Sequence, residues 1–412
     1  MDAPAAPGWP GVWRRQGKVH LKASRLHLTL ARSPRHLGPA PLAARQARRG
    51  PLLPLLVGLA SLAGHWLVLG VRLGGDSPRY LEAASRLLSG LPLVDKQADF
   101  WAYDWLVAGV FFLGGGQGGV VAAQCLLSLA AGLLLYAGVS RALGHPAGLL
   151  ASLAYLLWPD LQRWNCYLLS DGPCNSLLAA SLGLALLAAR RWSWWLLLAP
   201  VLLALALMRP EAVFFLLPLA LYFFLGRQPA AGLALLAGAV LLLVLKAPSP
   251  ASTSEILEHW GRGTVIWGYP ALDHPPAVAI VSHSLAGWLG QALRQDPLGL
   301  LAVMGQRGFW FLAHARPFYS LAHNLAAGLS SLCLLALGLW GLFAGQGPGR
   351  ERALGWAMVL VQLGLCMLTW ADWDGRFLTR VTPALMLLAA EALLGQAASG
   401  PSMDGPGRFE HL

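Results

Sequence analysis

The sequence has few charged residues for its length. Only 12% of its 412 residues are Asp, Glu, Lys or Arg, whereas a soluble domain has about 25%. Hydrophobic residues make up 56% of the chain, and the mean hydropathy is +0.56. The apolar runs are continuous and rich in Leu and Ala, instead of alternating as in the strands of a β-barrel. This composition excludes a soluble globular domain and predicts an all-α integral membrane protein.

Cysteine and histidine form no recognisable binding pattern. The five cysteines contain no CxxC pair, so the sequence signals neither a zinc site nor a disulfide framework. The histidines show no HExxH motif or close pair. Solvated or hydrogen-bonded histidine is the preferred interpretation of each.

Positive charge is concentrated at the amino terminus. The formal net charge is +11, and residues 1–50 contain ten Lys or Arg residues against one acid, Asp2. A nucleic-acid-binding arm has such a composition, but so does a cytoplasmic tail that obeys the positive-inside rule. Because an apolar chain follows, we predict a disordered cytoplasmic tail over 1–50 and no nucleic-acid partner. The polytopic domain then covers 51–397, and a second cytoplasmic tail covers 398–412.

Apolar segments alternate with short polar connections through the polytopic domain. Ten of them predict a bundle of about ten transmembrane helices. A further segment, 101–115, has only 15 residues and ends in a glycine cluster. If it crossed the membrane, the arginines of the short connections would all lie outside, against the positive-inside rule. We therefore expect this segment to lie at the outer interface, a depth that suits Trp101, Tyr103 and Trp105.

This topology separates basic connections from an acidic outer face. Of the 19 Asp and Glu residues, 14 fall on the predicted outer side. Two loops form that face: a first loop with interfacial helices, 74–118, and a long loop, 248–320, that we expect to form a small cap. Both termini would lie in the cytoplasm. The arginines that fix this orientation are Arg141, Arg190, Arg191, Arg227, Arg350 and Arg352.

Two outer stretches contain an acid beside the start of a helix. In "GGDSPRYLEAASRLL", Asp76 and Pro78 are typical of a helix N-terminus, and Tyr80 lies on the apolar face that follows. In "YLLSDGPCNSLL", Asp171 comes just before an apolar segment. A capping role alone would explain either acid.

Two further stretches contain arginines at predicted outer ends of apolar segments. Arg209 and Glu211 lie in "LMRPEAVFF", and Arg376 and Arg380 lie in "WADWDGRFLTRVTP". Taken singly, each stretch is also typical of an anchor at the membrane interface.

In this order the four stretches resemble the GT-C superfamily of membrane glycosyltransferases. The nearest branch contains the protein O-mannosyltransferases, the lipid A aminoarabinose transferases and bacterial enzymes that add galacturonic acid to lipopolysaccharide. The resemblance covers about residues 51–397. Two features depart from the family pattern: "VDKQADFWAYDWL" lacks the usual Lys-Pro-Pro, and Asp171 stands where Glu is commoner. These departures leave a non-catalytic member as an alternative.

The resemblance implies an inverting hexosyl- or pentosyltransferase in the plasma membrane. It would move a sugar from a polyprenyl-phosphate donor to a glycolipid, polysaccharide or protein on the outer face. By position, Asp76 would be the general base, and Asp171 would orient the acceptor or position a metal. Arg376 is the first candidate for the donor phosphate. Weaker candidates for the phosphate are Arg209, Lys96 and Arg380. The residues expected to position the substrate are Tyr80, Tyr103 and Glu211.

The sequence signals no cofactor. The branch with phosphate-monoester-linked donors generally acts without a metal, so we predict no tightly bound catalytic ion, although the sequence leaves a divalent metal open. The "DWD" of Asp372 to Asp374 is in the wrong place for the family's metal motif. The chief alternative function is a secondary transporter, but the spans are nearly free of charge except at Glu391. A lipid-linked saccharide flippase or ligase is the nearer alternative, although those proteins lack the Asp-Tyr arrangement of the first loop.

Overall fold

The computed structural model describes residues 50–246, 249–280, 284–344 and 349–394. Over these residues the chain is helical and contains no strand beyond two isolated bridges. The all-α prediction is therefore confirmed. The predicted tails, 1–50 and 398–412, lie outside the described residues except for Gly50.

The helices follow one another with short connections. In chain order they are α1 (Leu52–Leu69), α2 (Ser77–Leu88), α3 (Trp101–Phe112), α4 (Gly116–Leu143), α5 (His145–Leu157), α6 (Pro159–Gln162), α7 (Asp171–Ala188), α8 (Trp195–Met208), α9 (Leu216–Leu225), α10 (Pro229–Leu245), α11 (Pro250–Gly261), α12 (Leu285–Gln295), α13 (Pro297–Ala313), α14 (Leu321–Ala344), α15 (Gly349–Leu368) and α16 (Arg376–Leu394). Short 3-10 helices cover Asp95–Phe100, Arg163–Cys166, Trp192–Trp194, Pro210–Phe215 and Pro270–Leu272.

Several helices can cross a membrane. Among the described residues, α1, α4, α14, α15 and α16 are long and apolar enough to span, and α10 with α11 makes a sixth candidate that bends by 93°. Three shorter apolar helical segments cover His145–Leu157, Trp192–Met208 and Pro210–Leu225. Each of the ten predicted apolar segments overlaps a helix. The protein is thus a multi-pass membrane protein, and the number of spans stays a prediction.

Helix α7 forms the centre of the bundle, since every one of its residues is buried. Small residues let it approach α4 closely. A Cβ on Gly183 would lie 2.3 Å from the backbone oxygen of Leu134, and one on Gly138 would lie 2.3 Å from the backbone oxygen of Gly183. Any larger side chain would therefore force these two helices apart. This packing fixes the second half of α7, the helix that begins at Asp171, against α4.

The first predicted outer loop folds into two short helices that pack together. The ring of Tyr80 in α2 meets the ring of Tyr103 in α3 edge-on, with 4.6 Å between centroids. Helix α3 has 12 residues, which rise about 18 Å, less than the thickness of a bilayer's apolar core. Because α5 and α9, which fall in predicted spans, are about as short, the placement of 101–115 at the interface stays a prediction.

Helices α11 to α13 form a small unit with its own apolar core. Trp260 and Trp288 pack at a tilt of 38° at its centre, with 4.9 Å between ring centroids. This unit is tied to the segment before α16, because Ile266 pairs with Ala371 and the indole of Trp260 donates to the backbone oxygen of Leu368 at 2.8 Å. The tie places the predicted cap beside the stretch that contains Asp372 and Arg376.

Candidate functional site

Three arginines converge on one buried carboxylate. Asp171 is the first residue of α7, and its side chain is 1% exposed. Its Oδ1 accepts hydrogen bonds from Arg209 at 2.9 Å and from Arg380 at 3.2 Å, and its Oδ2 accepts one from Arg376 at 3.2 Å. A buried carboxylate is stable as an anion only when it is paired and hydrogen-bonded. These three partners therefore keep Asp171 ionised.

A second carboxylate completes the group. Glu211 Oε1 accepts from Arg209 Nε at 2.8 Å and from Arg380 Nη1 at 2.7 Å. Burial by itself raises the pKa of Glu211, but the charges of Arg209 and Arg380 outweigh it and lower that pKa to about 2. The charged cluster is hereafter Asp171, Arg209, Glu211, Arg376 and Arg380. With three cations and two anions it has one surplus positive charge.

Local sequence explains why the RPE stretch presents its charges here. Pro210 disfavours a helical conformation at the residue before it. Arg209 is accordingly extended, with φ −151° and ψ 150°, and α8 ends one residue earlier at Met208. A 3-10 helix then begins at Pro210 and brings Glu211 back toward Arg209.

The other two arginines are placed by the start of α16. Arg376 and Arg380 are four residues apart, so they lie on the same face of the helix. Asp372 caps this helix: its Oδ2 accepts the backbone N–H of Arg376 at 2.5 Å, and its Oδ1 accepts that of Phe377 at 3.2 Å. The buried Arg316 in turn donates to the backbone oxygen of Asp372 at 2.8 Å. The first acid of "DWD" is therefore a helix cap.

Tyr80 connects the first outer loop to the charged cluster. Its hydroxyl lies 3.0 Å from Ser170 Oγ, which accepts a hydrogen bond from Arg209 at 3.0 Å. Arg79 also donates to the Tyr80 hydroxyl at 3.2 Å. Burial raises the pKa of Tyr80 to about 12, against the opposing effect of Arg209 and Arg79. The phenol is therefore neutral at physiological pH and acts as a hydrogen-bonding group.

Asp76 is at the N-cap position of α2, as the sequence indicates, but its side chain makes no capping hydrogen bond. The neighbouring Ser77 instead accepts the N–H of Gly74 and donates to the backbone oxygen of Leu168, both at 2.8 Å. The Asp76 carboxylate lies 3.6 Å from Arg79 and is 42% exposed. Its oxygens are thus available to a substrate.

Two residues of this region, Arg79 and Ser170, were not singled out from the sequence. The guanidinium of Arg79 lies 4.5 Å from the centroid of the Phe100 ring, and that of Arg209 lies 5.4 Å from the same ring. Ser170 bridges Tyr80 and Arg209. The only signal in the sequence was position, since each is adjacent to a residue that was singled out, Tyr80 or Asp171.

Two predicted site residues have other principal contacts. Lys96 pairs with Glu255 of α11 at 2.9 Å and makes no hydrogen bond to the charged cluster within the described chain. Tyr103 donates to Gln124 at 2.9 Å and approaches the cluster only through its ring contact with Tyr80. Lys96 therefore ties the first loop to the cap in this structure.

Asp104 is a third residue of this region that was not singled out from the sequence. It is 0% exposed, and neither carboxylate oxygen has a hydrogen-bond partner among the described residues. Burial raises its pKa to about 8, although Arg79 and Lys246 act in the opposite direction. In the sequence, one acid within an aromatic run gives no sign of such burial.

The described parts of the chain contain no group of three or more His, Cys, Asp or Glu residues that could hold a metal ion. Asp171 and Glu211, the carboxylates of the charged cluster, have arginines as partners. What this arrangement offers chemically is a set of guanidinium groups beside a partly exposed carboxylate, Asp76.

Part of the chain matches a known protein family. Residues 101–250 match the family described as dolichyl-phosphate-mannose-protein mannosyltransferase. No curated protein matches the sequence.

Solved structures with a similar fold include ArnT from Cupriavidus metallidurans bound to undecaprenyl phosphate, with a TM-score of 0.50 and 16% identity over 85% of this chain and 60% of that one. Archaeal oligosaccharyltransferase AglB from Archaeoglobus fulgidus, in complex with an inhibitory peptide and a dolichol-phosphate, has a TM-score of 0.49 and 14% identity over 84% of this chain and 50% of that one. This chain thus spans about three fifths of the length of ArnT. The family match over part of the chain and the fold shared with ArnT support the resemblance of the motifs to the GT-C superfamily of membrane glycosyltransferases.

Proposed function

We propose that this protein transfers a hexose or pentose from a polyprenyl-phosphate donor to an acceptor at the outer face of the plasma membrane. The acceptor would be a glycolipid, a polysaccharide or a protein. The observation that carries the proposal is the charged cluster, in which three arginines outnumber two carboxylates at the ends of apolar helices. A lipid-linked donor needs this combination, because its chain stays in the bilayer while its phosphate needs cations at the interface. That ArnT was solved with undecaprenyl phosphate gives further support.

The three arginines have different roles in this proposal. Arg380 is 1% exposed and bridges Asp171 and Glu211, so it holds the cluster together. Arg376 is 21% exposed and contacts Asp171 through a single Nη atom. Its partly exposed guanidinium, which makes no second ion pair among the described residues, would bind the donor phosphate. Arg209 is 10% exposed and would contribute less direct contact.

Asp76 would act as the general base. A single displacement at the anomeric carbon needs one group to accept the proton of the acceptor hydroxyl, and the product then has inverted configuration. Asp76 has the exposure for this role and is not used as a cap. Asp171 is less suited to it, because three arginines compete with a proton for its oxygens. We assign Asp171 instead to positioning those arginines.

Binding of the lipid phosphate is the decisive test. Native mass spectrometry of the purified full chain should detect a polyprenyl phosphate, and Arg376→Ala should reduce its occupancy at least tenfold. Arg262→Ala is the matched control, since Arg262 is an exposed arginine of the cap region whose partner is Glu258. Failure of the wild-type protein to bind any polyprenyl phosphate, either on purification or after addition of the lipid, would refute the proposal.

A further inference from the structure

A second group of arginines lies beyond the other end of α7. This helix has 18 residues, so its ends are about 27 Å apart. Asp171 is at its first end, and Arg190 and Arg191 follow its last residue, Ala188. A cleft of about 250 Å³ opens there. The residues that line this cleft, called the basic cleft below, are Arg141, Leu187, Arg190, Arg191 and Trp194.

The arginines of the basic cleft have no carboxylate partner in the described parts of the chain. This differs from the charged cluster, where every arginine is paired. It differs also from Arg350 and Arg352, which pair with Glu351 at 3.0 Å and with Glu391 of the last predicted span at 2.9 Å. The basic cleft therefore presents three positive charges without an ion-pair partner among the described residues.

Helix C-termini explain only part of this arrangement. Arg141 lies in the last turn of α4, and Arg190 follows the end of α7, where a cation interacts favourably with the helix dipole. That preference explains each position separately. It does not explain why both side chains join Arg191 and an indole around one concave surface, since like charges that converge repel one another unless an anion lies between them.

The surface beside the basic cleft indicates what kind of anion fits. Trp192 is 74% exposed, and Leu196 and Leu197, in the first turn of α8, are 70% and 51% exposed. On a membrane helix such apolar side chains face lipid. A ligand that contacts both the arginines and this surface must have an anionic head and an apolar tail. Tryptophan at the boundary is typical of the depth at which lipid head groups lie.

We propose that the basic cleft binds the head group of an anionic phospholipid of the predicted cytoplasmic leaflet. The guanidinium groups of Arg141, Arg190 and Arg191 hold its phosphate, and an acyl chain lies along Leu196 and Leu197. Basic pockets between transmembrane helices on the cytoplasmic side bind lipids in this way. The site joins the ends of α4, α7 and α8, so an occupied cleft stabilises the central helix at the end opposite the charged cluster. Lipid binding at the basic cleft is independent of sugar transfer.

The test uses purified full-length protein in detergent and native mass spectrometry with added lipid. Phosphatidylglycerol should bind at least tenfold more tightly than phosphatidylcholine and should raise the thermal midpoint. Changing all three arginines of the basic cleft to Gln should remove this preference. The matched control is a triple change to Gln at Arg86, Arg262 and Arg294, which removes the same charge from predicted outer loops and should leave the preference intact.

Two outcomes would overturn the proposal. One is wild-type phosphatidylglycerol binding by the variant that lacks the three arginines. The other is an equal thermal shift from inorganic phosphate, which would make the basic cleft a site for free anions. If the triple variant does not fold, the single changes Arg141→Gln, Arg190→Gln and Arg191→Gln provide the test. Each should weaken phosphatidylglycerol binding at least threefold, and unchanged affinity in all three would equally refute the proposal.

Discussion

Replacing Asp76 by Asn separates a catalytic role from a structural one. The structural cost should be small, since the side chain makes no capping hydrogen bond. Among the described residues its one ion pair, to Arg79, is 3.6 Å long, with the two side chains 42% and 23% exposed. Pairs of this kind contribute less than about 1 kcal/mol. We therefore expect a change in the thermal midpoint of at most a few degrees.

The catalytic cost should be much larger. Asn retains the size of Asp but cannot accept the proton of an acceptor hydroxyl. Loss of a general base typically lowers the rate by about 10²–10⁴-fold, which corresponds to about 3–5 kcal/mol in the activation free energy. Donor binding should persist, because the charged cluster that would hold the phosphate is unchanged. The two expected effects differ enough to be separated by experiment.

The assay is sugar transfer from a synthetic polyprenyl-phosphate sugar, with a thermal-shift measurement on the same samples. Glu82→Gln is the matched control: Glu82 is an exposed acid on the same helix, α2, so the substitution removes an equal charge nearby. It should transfer sugar at close to the wild-type rate. If Asp76→Asn transferred sugar within about threefold of wild type, Asp76 would not be the base, and Asp171 would be the next acid to examine.

Three further predictions follow from the charged cluster, from Asp104 and from the topology. Arg376→Lys should recover only part of the donor affinity lost in Arg376→Ala, measured by native mass spectrometry, because Lys offers a point charge instead of a planar fork; equal affinity of Lys and Ala variants would contradict this. Between about pH 4 and 8 the unfolded chain has lost the Asp104 proton while the folded chain keeps it, so the thermal midpoint should fall as pH rises, and less steeply in Asp104→Asn. An unchanged slope would exclude Asp104 as the cause. A single cysteine at position 141 of a Cys-free protein should not react with an impermeant reagent added outside intact cells, and labelling there would reverse the predicted orientation.

Individual charges of the site could be predicted from the sequence, because membrane spans tolerate few of them. Arg209, Glu211, Arg376 and Arg380 stand out at the ends of apolar segments, and the spacing of four between the last two predicts a shared face. The contacts of Asp171 with Arg209 and with Arg380, 38 and 209 positions away, could not be predicted in the same way. They depend on how the helices pack, and no local pattern specifies that packing.

Burial and hydrogen bonding set the other limit on prediction. The pattern around Asp76 places it correctly at an N-cap, but whether its side chain or that of Ser77 makes the local hydrogen bonds depends on contacts with Leu168, which is 91 positions from Ser77. Asp104 resembles other interfacial acids in sequence, yet it is fully buried once α3 packs against its neighbours. Lys96 has the charge expected of a phosphate ligand, but it lies within reach of Glu255 on α11.

The surplus charge of the cluster is the feature that our proposal uses most directly. A polyprenyl-phosphate sugar is a phosphodiester with one negative charge, and cleavage of its sugar–phosphate bond leaves a monoester with more negative charge. A cluster with equal numbers of cations and anions would have no net charge to attract either the donor phosphodiester or the monoester that leaves. With Arg376, Arg209 and Arg380 set against Asp171 and Glu211, one positive charge remains for the donor. Its attraction to the leaving group grows during the reaction, and interactions that strengthen in this way accelerate the chemical step. Because the two carboxylates hold the guanidinium groups in place beforehand, this stabilisation would require little rearrangement when the donor binds.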